Sequence, residues 1–337
     1  MRPRLAALAV VVCVVSFGLA TPVAAAQSEE GRLGIRLADG GNDARSRVYM
    51  VDHLAPGTSV ERTVEVVNQA DSELPVELYA GAAEVRDGRF AFSEGRDGND
   101  LTAWTTIDPP TVTLAPGATS PVRVTIAVPP GTAAGERYGV VWAVLPPSGQ
   151  AGGVRVVHRV GVRMYVSVGG GPAPLSDFVV DSLRPRRSRD GRPAIVASVR
   201  NTGGRALDLG GDLSLDDGPR GVSAGPFPVD DAATLGPGDT GNVVVTLPAE
   251  LSAGPWRARL TLRSGTVART VEAIVTFPTA GQAGHPVAAS PVGPLGDRGV
   301  VGPLAGALAV LVAVAIAITA ARRRAGADDD RGAKAPG

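Results

Sequence analysis

Apolar and polar positions alternate over much of the chain. Val122, Val124, Ile126 and Val128 are interleaved with Arg123, Thr125 and Ala127, the period of two of a strand with one buried face. Pro129-Pro130-Gly131 ends that run, and Tyr138 to Val144 forms the next. From Val154 to Val168 the even positions are Val154, Val156, His158, Val160, Val162, Met164, Val166 and Val168, whereas Arg155, Arg159 and Arg163 stand at odd positions. Short strands parted by Gly/Pro turns every ~8–12 residues predict a β-sandwich. No amphipathic helix of useful length occurs between Gln27 and Thr279.

The two ends follow another pattern. Arg2 and Arg4 precede an apolar run from Leu5 to Ala20, and Ala24-Ala25-Ala26 precedes Gln27. This is the layout of a secretory signal peptide over 1–26. Residues 300–321 are uncharged and almost wholly apolar. As a helix they would be about 33 Å long, enough to span a hydrocarbon core of about 30 Å. Arg322, Arg323 and Arg324 follow, and the positive-inside rule places them in the cytoplasm. The expectation is a single-pass type I protein of the cell membrane, with the bulk of the chain outside, one transmembrane helix at 300–321 and a cytoplasmic tail at 322–337.

Between the ends the sequence repeats. Val66-Val67-Asn68 with Leu74 aligns with Val199-Arg200-Asn201 and Leu207; Thr113-Leu114-Ala115-Pro116-Gly117 aligns with Thr234-Leu235-Gly236-Pro237-Gly238. The first half carries an insert between its two motifs, expected around Asp87 to Gly95. The predicted fold is all-β, with two tandem Ig-like sandwiches at 27–168 and 175–278. The Gly/Pro cluster 169–174 joins them, and a Gly/Pro/Ala linker, 279–299, leads to the membrane.

The segment Tyr49-Met50-Val51-Asp52-His53-Leu54-Ala55-Pro56-Gly57 resembles the Tyr-Phe-Asp-Leu-x-Leu-x-Pro-Gly start of the WxL-interacting proteins of Gram-positive bacteria. Asn68, the Leu114/Pro116/Gly117 turn, Pro129 and Gly135 follow in that family's order. The resemblance implies a peptidoglycan-binding domain over 33–168, a host-binding sandwich after it, and a C-terminal membrane helix.

Composition narrows the chemistry. Formal net charge is zero, which removes the electrostatic basis for binding nucleic acid. The one cysteine, Cys13, lies in the signal segment, and the one lysine, Lys334, lies in the tail. The mature exterior therefore has no Cys nucleophile, disulfide or Ser-x-x-Lys centre. His53, His158 and His285 form no His-Glu-x-x-His pair. No enzyme activity, catalytic residue, cofactor or metal is expected. Asp97, Asn99 and Asp100 match no defined Ca²⁺ loop and read as an acidic surface loop. His158 reads as a residue at the core's edge.

Candidate binding residues remain. Arg155, Arg159 and Arg163 would lie about 13 Å apart along one strand face, either as guanidiniums that meet phosphate or carboxylate or as a solvated outer face paired across strands to acids such as Glu61 and Glu65. Trp104 and Tyr49 are the exposed aromatic candidates, while Tyr138 and Trp142, with Val140 and Val144, read as core. The reading is a non-catalytic, membrane-anchored surface protein that binds peptidoglycan, an anionic wall glycan or a surface protein partner. The alternative is a stalk or accessory subunit of a membrane complex without wall binding.

Overall fold

A computed structural model describes residues 33–41, 44–146, 157–230 and 233–292. The signal segment 1–26, the apolar segment 300–321, the tail 322–337 and Arg155 lie outside the described residues. Among the described residues no helix is long and apolar enough to cross a membrane.

The first half comprises β1 (Leu33–Leu37), β2 (Met50–Leu54), β3 (Ser59–Asn68), β4 (Leu74–Arg86) and β5 (Arg89–Phe92). A short helix, α1 (Asp100–Trp104), precedes β6 (Thr105–Asp108), β7 (Thr111–Leu114), β8 (Thr119–Ala127), β9 (Gly135–Val144) and β10 (Arg159–Val168). One sheet has the order β1-β3-β8-β6; the other runs β2-β10-β9-β4-β5, with β7 also on β4. The even-numbered residues of β8 and β10 face the core as their alternation predicts, with Val122, Val124, Ile126, Met164 and Val166 all buried.

The second half comprises β11 (Phe178–Arg187), β12 (Pro193–Asn201), β13 (Leu207–Asp216), β14 (Ala224–Pro228) and β15 (Ala233–Leu235). After these come β16 (Thr240–Thr246), β17 (Trp256–Ser264), β18 (Val267–Val275), β19 (Val287–Ala288) and β20 (Ser290–Pro291). Its sheets run β16-β12-β11-β19 and β14-β13-β17-β18-β20, with β15 on β13. Phe178, Leu183, Val199, Leu213 and Leu260 fill this second core. The chain is all-β and built of sandwich-like sheets.

The repeat has a physical basis in two buried asparagines. Asn68 Nδ2 donates to the carbonyls of Ser72, Leu114 and Ala115 at 2.8, 2.9 and 3.0 Å, and its Oδ1 accepts from Ala70 N at 2.8 Å. Asn201 Nδ2 reaches the carbonyls of Arg205, Leu235 and Gly236 at 2.8, 3.0 and 2.9 Å, and its Oδ1 accepts from Gly203 N at 2.9 Å. Each side chain ties the end of one strand to the turn after another. Such buried carbonyls need partners, and one primary amide serves several of them.

Leu-x-Pro-Gly occurs three times, and each time it makes the same turn. Gly57, Gly117 and Gly238 have φ of 81°, 70° and 80°. Thr58 N, Ala118 N and Asp239 N donate to the carbonyls of Ala55, Ala115 and Gly236 at 3.1, 3.0 and 3.1 Å. Pro second and a positive-φ Gly third are the chemistry of a type II turn. The motif behind the family resemblance thus encodes a recurrent turn and carries no ligand-specific geometry.

Candidate functional site

Strand β9 is buried on both faces. Val141 and Ala143 enter the core between the sheets. Tyr138, Val140, Trp142 and Val144 point the other way, onto the outer face. The expectation that this second set is core holds for Val140, Trp142 and Val144, which are buried, while Tyr138 is partly buried. They form clusters separate from the one between the sheets, because with two apolar faces periodicity cannot tell one from the other. Trp142 is 7% exposed despite its outward position. A Cβ on Gly161 would fall 2.6 Å from its Cε3, and one on Gly81 would fall 2.7 Å from Nε1. Glycine at both positions lets the indole lie close against the neighbouring strands. Arg159 then covers the ring at 4.3 Å and Phe92 meets it edge-on at 5.0 Å.

Farther along the same face the second sandwich docks. Tyr165 is fully buried among Tyr49, Phe90 and Tyr138, with ring centroids at 5.7, 5.1 and 5.9 Å. Asp208 of β13 is the polar centre of this junction. Its Oδ1 accepts from the Tyr165 hydroxyl at 2.8 Å, the Thr234 hydroxyl at 2.9 Å and Arg163 at 3.4 Å. Its Oδ2 accepts from Arg45 Nε at 2.8 Å. Arg45 also lies 4.0 Å from the Tyr165 ring centroid. Burial, with Asp208 adding to it, raises the Tyr165 phenol above its usual range, so it remains a donor.

A second acid seals the junction. The Glu136 side chain is 2% exposed, and its Oε2 accepts from Tyr138 OH at 2.8 Å and Ala206 N at 2.6 Å. Burial holds its carboxyl above the usual range, against the opposing pull of those two bonds and of Arg45 and Arg205. The backbone adds Thr234 N to Gly88 O at 2.8 Å.

The site residues read from the sequence are distributed as follows. Arg159 covers Trp142, and Arg163 turns into the junction, 4.9 Å from the Phe90 ring centroid. Tyr49 packs beside Tyr165 at the same junction, half-buried. Trp104 closes α1, packs on the first core and has Arg137 6.0 Å from its ring. Asn99 caps α1, and Asp100 pairs with Arg137 at 3.2 Å. Among the described residues no acidic or histidine cluster could hold a metal. Asp208, Glu136 and Arg45 went unnoticed in the sequence because no local pattern marks a residue whose partners come from the other sandwich.

The first sandwich also has an incomplete edge. Strand β9 pairs with β10 along its whole length, Arg159 to Val168. On the opposite side β2 pairs in parallel with Met164 to Val168 only. Arg159 to Arg163 therefore have no strand partner on that side among the described residues, with β1 across the seam. Strand β2 is fixed in place by His53 Nδ1 to Ser167 Oγ at 2.9 Å and by the Asp52–Arg62 ion pair.

No family model matches the chain, and no curated protein matches it. Among solved structures it is similar to the Pseudomonas aeruginosa CupB2 chaperone, with 12% identity, 67% of this chain, 97% of that chain and a TM-score of 0.38. The E. coli chaperone DraB matches at 14% identity, 72% of this chain, 99% of that chain and TM-score 0.37. A structure of the Salmonella enterica SafA pilin in complex with the SafB chaperone matches at 12% identity, 75% of this chain, 94% of that chain and TM-score 0.37. These findings correct the resemblance to WxL-interacting proteins. Corrected with it are the membrane-anchored surface protein, its cell-wall polymer or surface protein partner, the accessory stalk and the cell-membrane location.

Proposed function

We propose that this chain is a non-catalytic protein that binds an extended segment of another polypeptide by strand addition. Two Ig-like sandwiches, 27–168 and 175–278, form a braced frame, and the free edge of β10 at Arg159 to Arg163 receives the segment. The observation that carries this reading is the uneven pairing of β10, complete on one side and half complete on the other. An open edge presents unpaired N–H and C=O groups, the template on which strand-adding ligands dock. Because β2 is pinned by His53 and Asp52, it cannot slide to cover that edge. The core-facing Val160 and Val162 supply apolar contact beside it, while Arg159 and Arg163 remain engaged with Trp142 and Asp208. The ion pairs and hydrogen bonds of Asp208 and Glu136 across the junction suit a brace between the two sandwiches.

The test is selection of extended nine-residue peptides against the full chain, followed by hydrogen exchange. Binders should protect the amides of Arg159 to Arg163 and lose at least tenfold in affinity when a central peptide nitrogen is methylated. Binders that tolerate methylation, or that protect only other strands, would sink the reading.

A further inference from the structure

The second sandwich closes its seam differently. After β18 the chain turns at Thr279, where Gln282 N donates to Thr279 O at 3.2 Å and Gly281 has φ of 79°. It then runs back along β11. Arg187 N donates to Gln282 O at 2.9 Å and Gly284 N donates to Pro185 O at 2.8 Å. Val287 and Ala288 pair with Leu183 and Ser182. The segment next crosses to the other sheet, where Ser290 and Pro291 pair with Glu272 and Val271, and Val292 N donates to Thr270 O at 2.9 Å. One stretch, 281–292, thus bonds the edges of both sheets. The part of the chain expected to be a plain linker is a strand of the second sandwich.

Its hold is slight. No side chain in 281–292 is buried; Gly284, Val287, Ala289 and Val292 are half-buried and the rest exposed. A cleft of about 350 Å³ remains beside it, lined by Phe178, Val180, Val271, Ala289 and Pro291. By contrast β2, which closes the first sandwich, buries Met50, Asp52 and Leu54. Few buried apolar contacts and exposed backbone bonds mark a segment that opens locally at little cost.

We propose that the seam between β11 and β18 is an exchangeable strand-acceptor site, and that segment 281–292 of a second copy of this chain replaces the resident one. The structure shows which sequence fits this seam, a stretch of mostly Gly, Ala, Val and Pro with Gln282, His285 and Ser290 and without Asp, Glu, Lys or Arg, and a second copy carries the same stretch. Exchange requires only that the turn at Thr279 to Gln282 open into an extended hinge, the usual route to a swapped dimer. This site is separate from the β10 edge.

The experiment uses a fluorescent peptide of the 281–292 sequence and the full chain, wild type and Val287→Glu/Ala289→Glu. The double substitution should release the resident segment, whose half-buried anchors it charges, without altering the seam. The peptide should bind the variant at least tenfold more tightly than wild type, and a peptide carrying the same two changes should bind neither. Two differently tagged wild-type chains should co-purify in proportion to concentration, and excess peptide should separate them. Peptide binding that is absent, or equal in both chains as binding at β10 would be, overturns the proposal. So does failure of the tagged chains to exchange. Should the variant misfold, the mixing and competition arms on wild type still decide.

Discussion

The two sandwiches share an anchor and differ in their closure. Asn68 and Asn201 make nearly superimposable sets of bonds, yet the edges that remain after folding are handled in opposite ways. In the first sandwich an early strand, β2, crosses to the second sheet and covers half of β10 through buried contacts. In the second, β11 stays with β12 throughout, and the closing strand comes from beyond the end of the domain. A sandwich can be fully specified in its core and still leave its rim to whichever segment is within reach. Edges exposed this way must be covered or else invite pairing with other chains.

The largest expected effect breaks the junction between the two units. Asp208→Ala leaves Arg45, Arg163 and the Tyr165 hydroxyl without their shared acceptor. Loss of one partner from a mostly buried ion pair costs roughly 3–5 kcal/mol. Denaturant unfolding should fall by about that much and divide into two transitions; a single unchanged transition would mean that the sandwiches do not brace each other.

Next come the two anchors. Asn68→Ala and Asn201→Ala should each cost about 2–3 kcal/mol, since each orphans buried backbone carbonyls. Fluorescence and circular dichroism melts should show comparable losses. Unequal losses would deny that the repeats are energetically equivalent.

A smaller effect concerns Glu136. Its folded-state carboxyl sits above the usual range, so the folded chain holds that proton more tightly than the unfolded chain does. Its contribution to stability is fully present at low pH and is lost as pH rises from the ordinary carboxylate range to the raised one. The slope is at most about 1.4 kcal/mol per pH unit. Glu136→Gln should flatten this decline, and equal pH profiles for both proteins would show that the carboxyl titrates normally. The smallest effect is that of Arg159→Ala. Losing the cation over Trp142 should cost about 0.5–1 kcal/mol, with more quenching of Trp142 fluorescence by added iodide; unchanged quenching would place the guanidinium off the ring.

By itself the sequence determined the strands, the turns and the repeat. Alternation over Val122 to Val128 and Val160 to Val168 marks which side chains face the core, because a strand's faces are set by local geometry alone. Pro-Gly pairs fix turns for the same reason, which is also why Leu-x-Pro-Gly misled as a family signature: its information is local. The tertiary structure decided everything that depends on distant partners. It placed Tyr138 and Trp142 on an outer face, buried Asp208 and Glu136 between sandwiches, and turned Arg163 from an outward stripe into the junction. It also converted 281–292 from linker into strand. Those outcomes arise from burial and pairing between segments far apart in the chain, and a pattern read along one strand holds no term for what arrives on its other side.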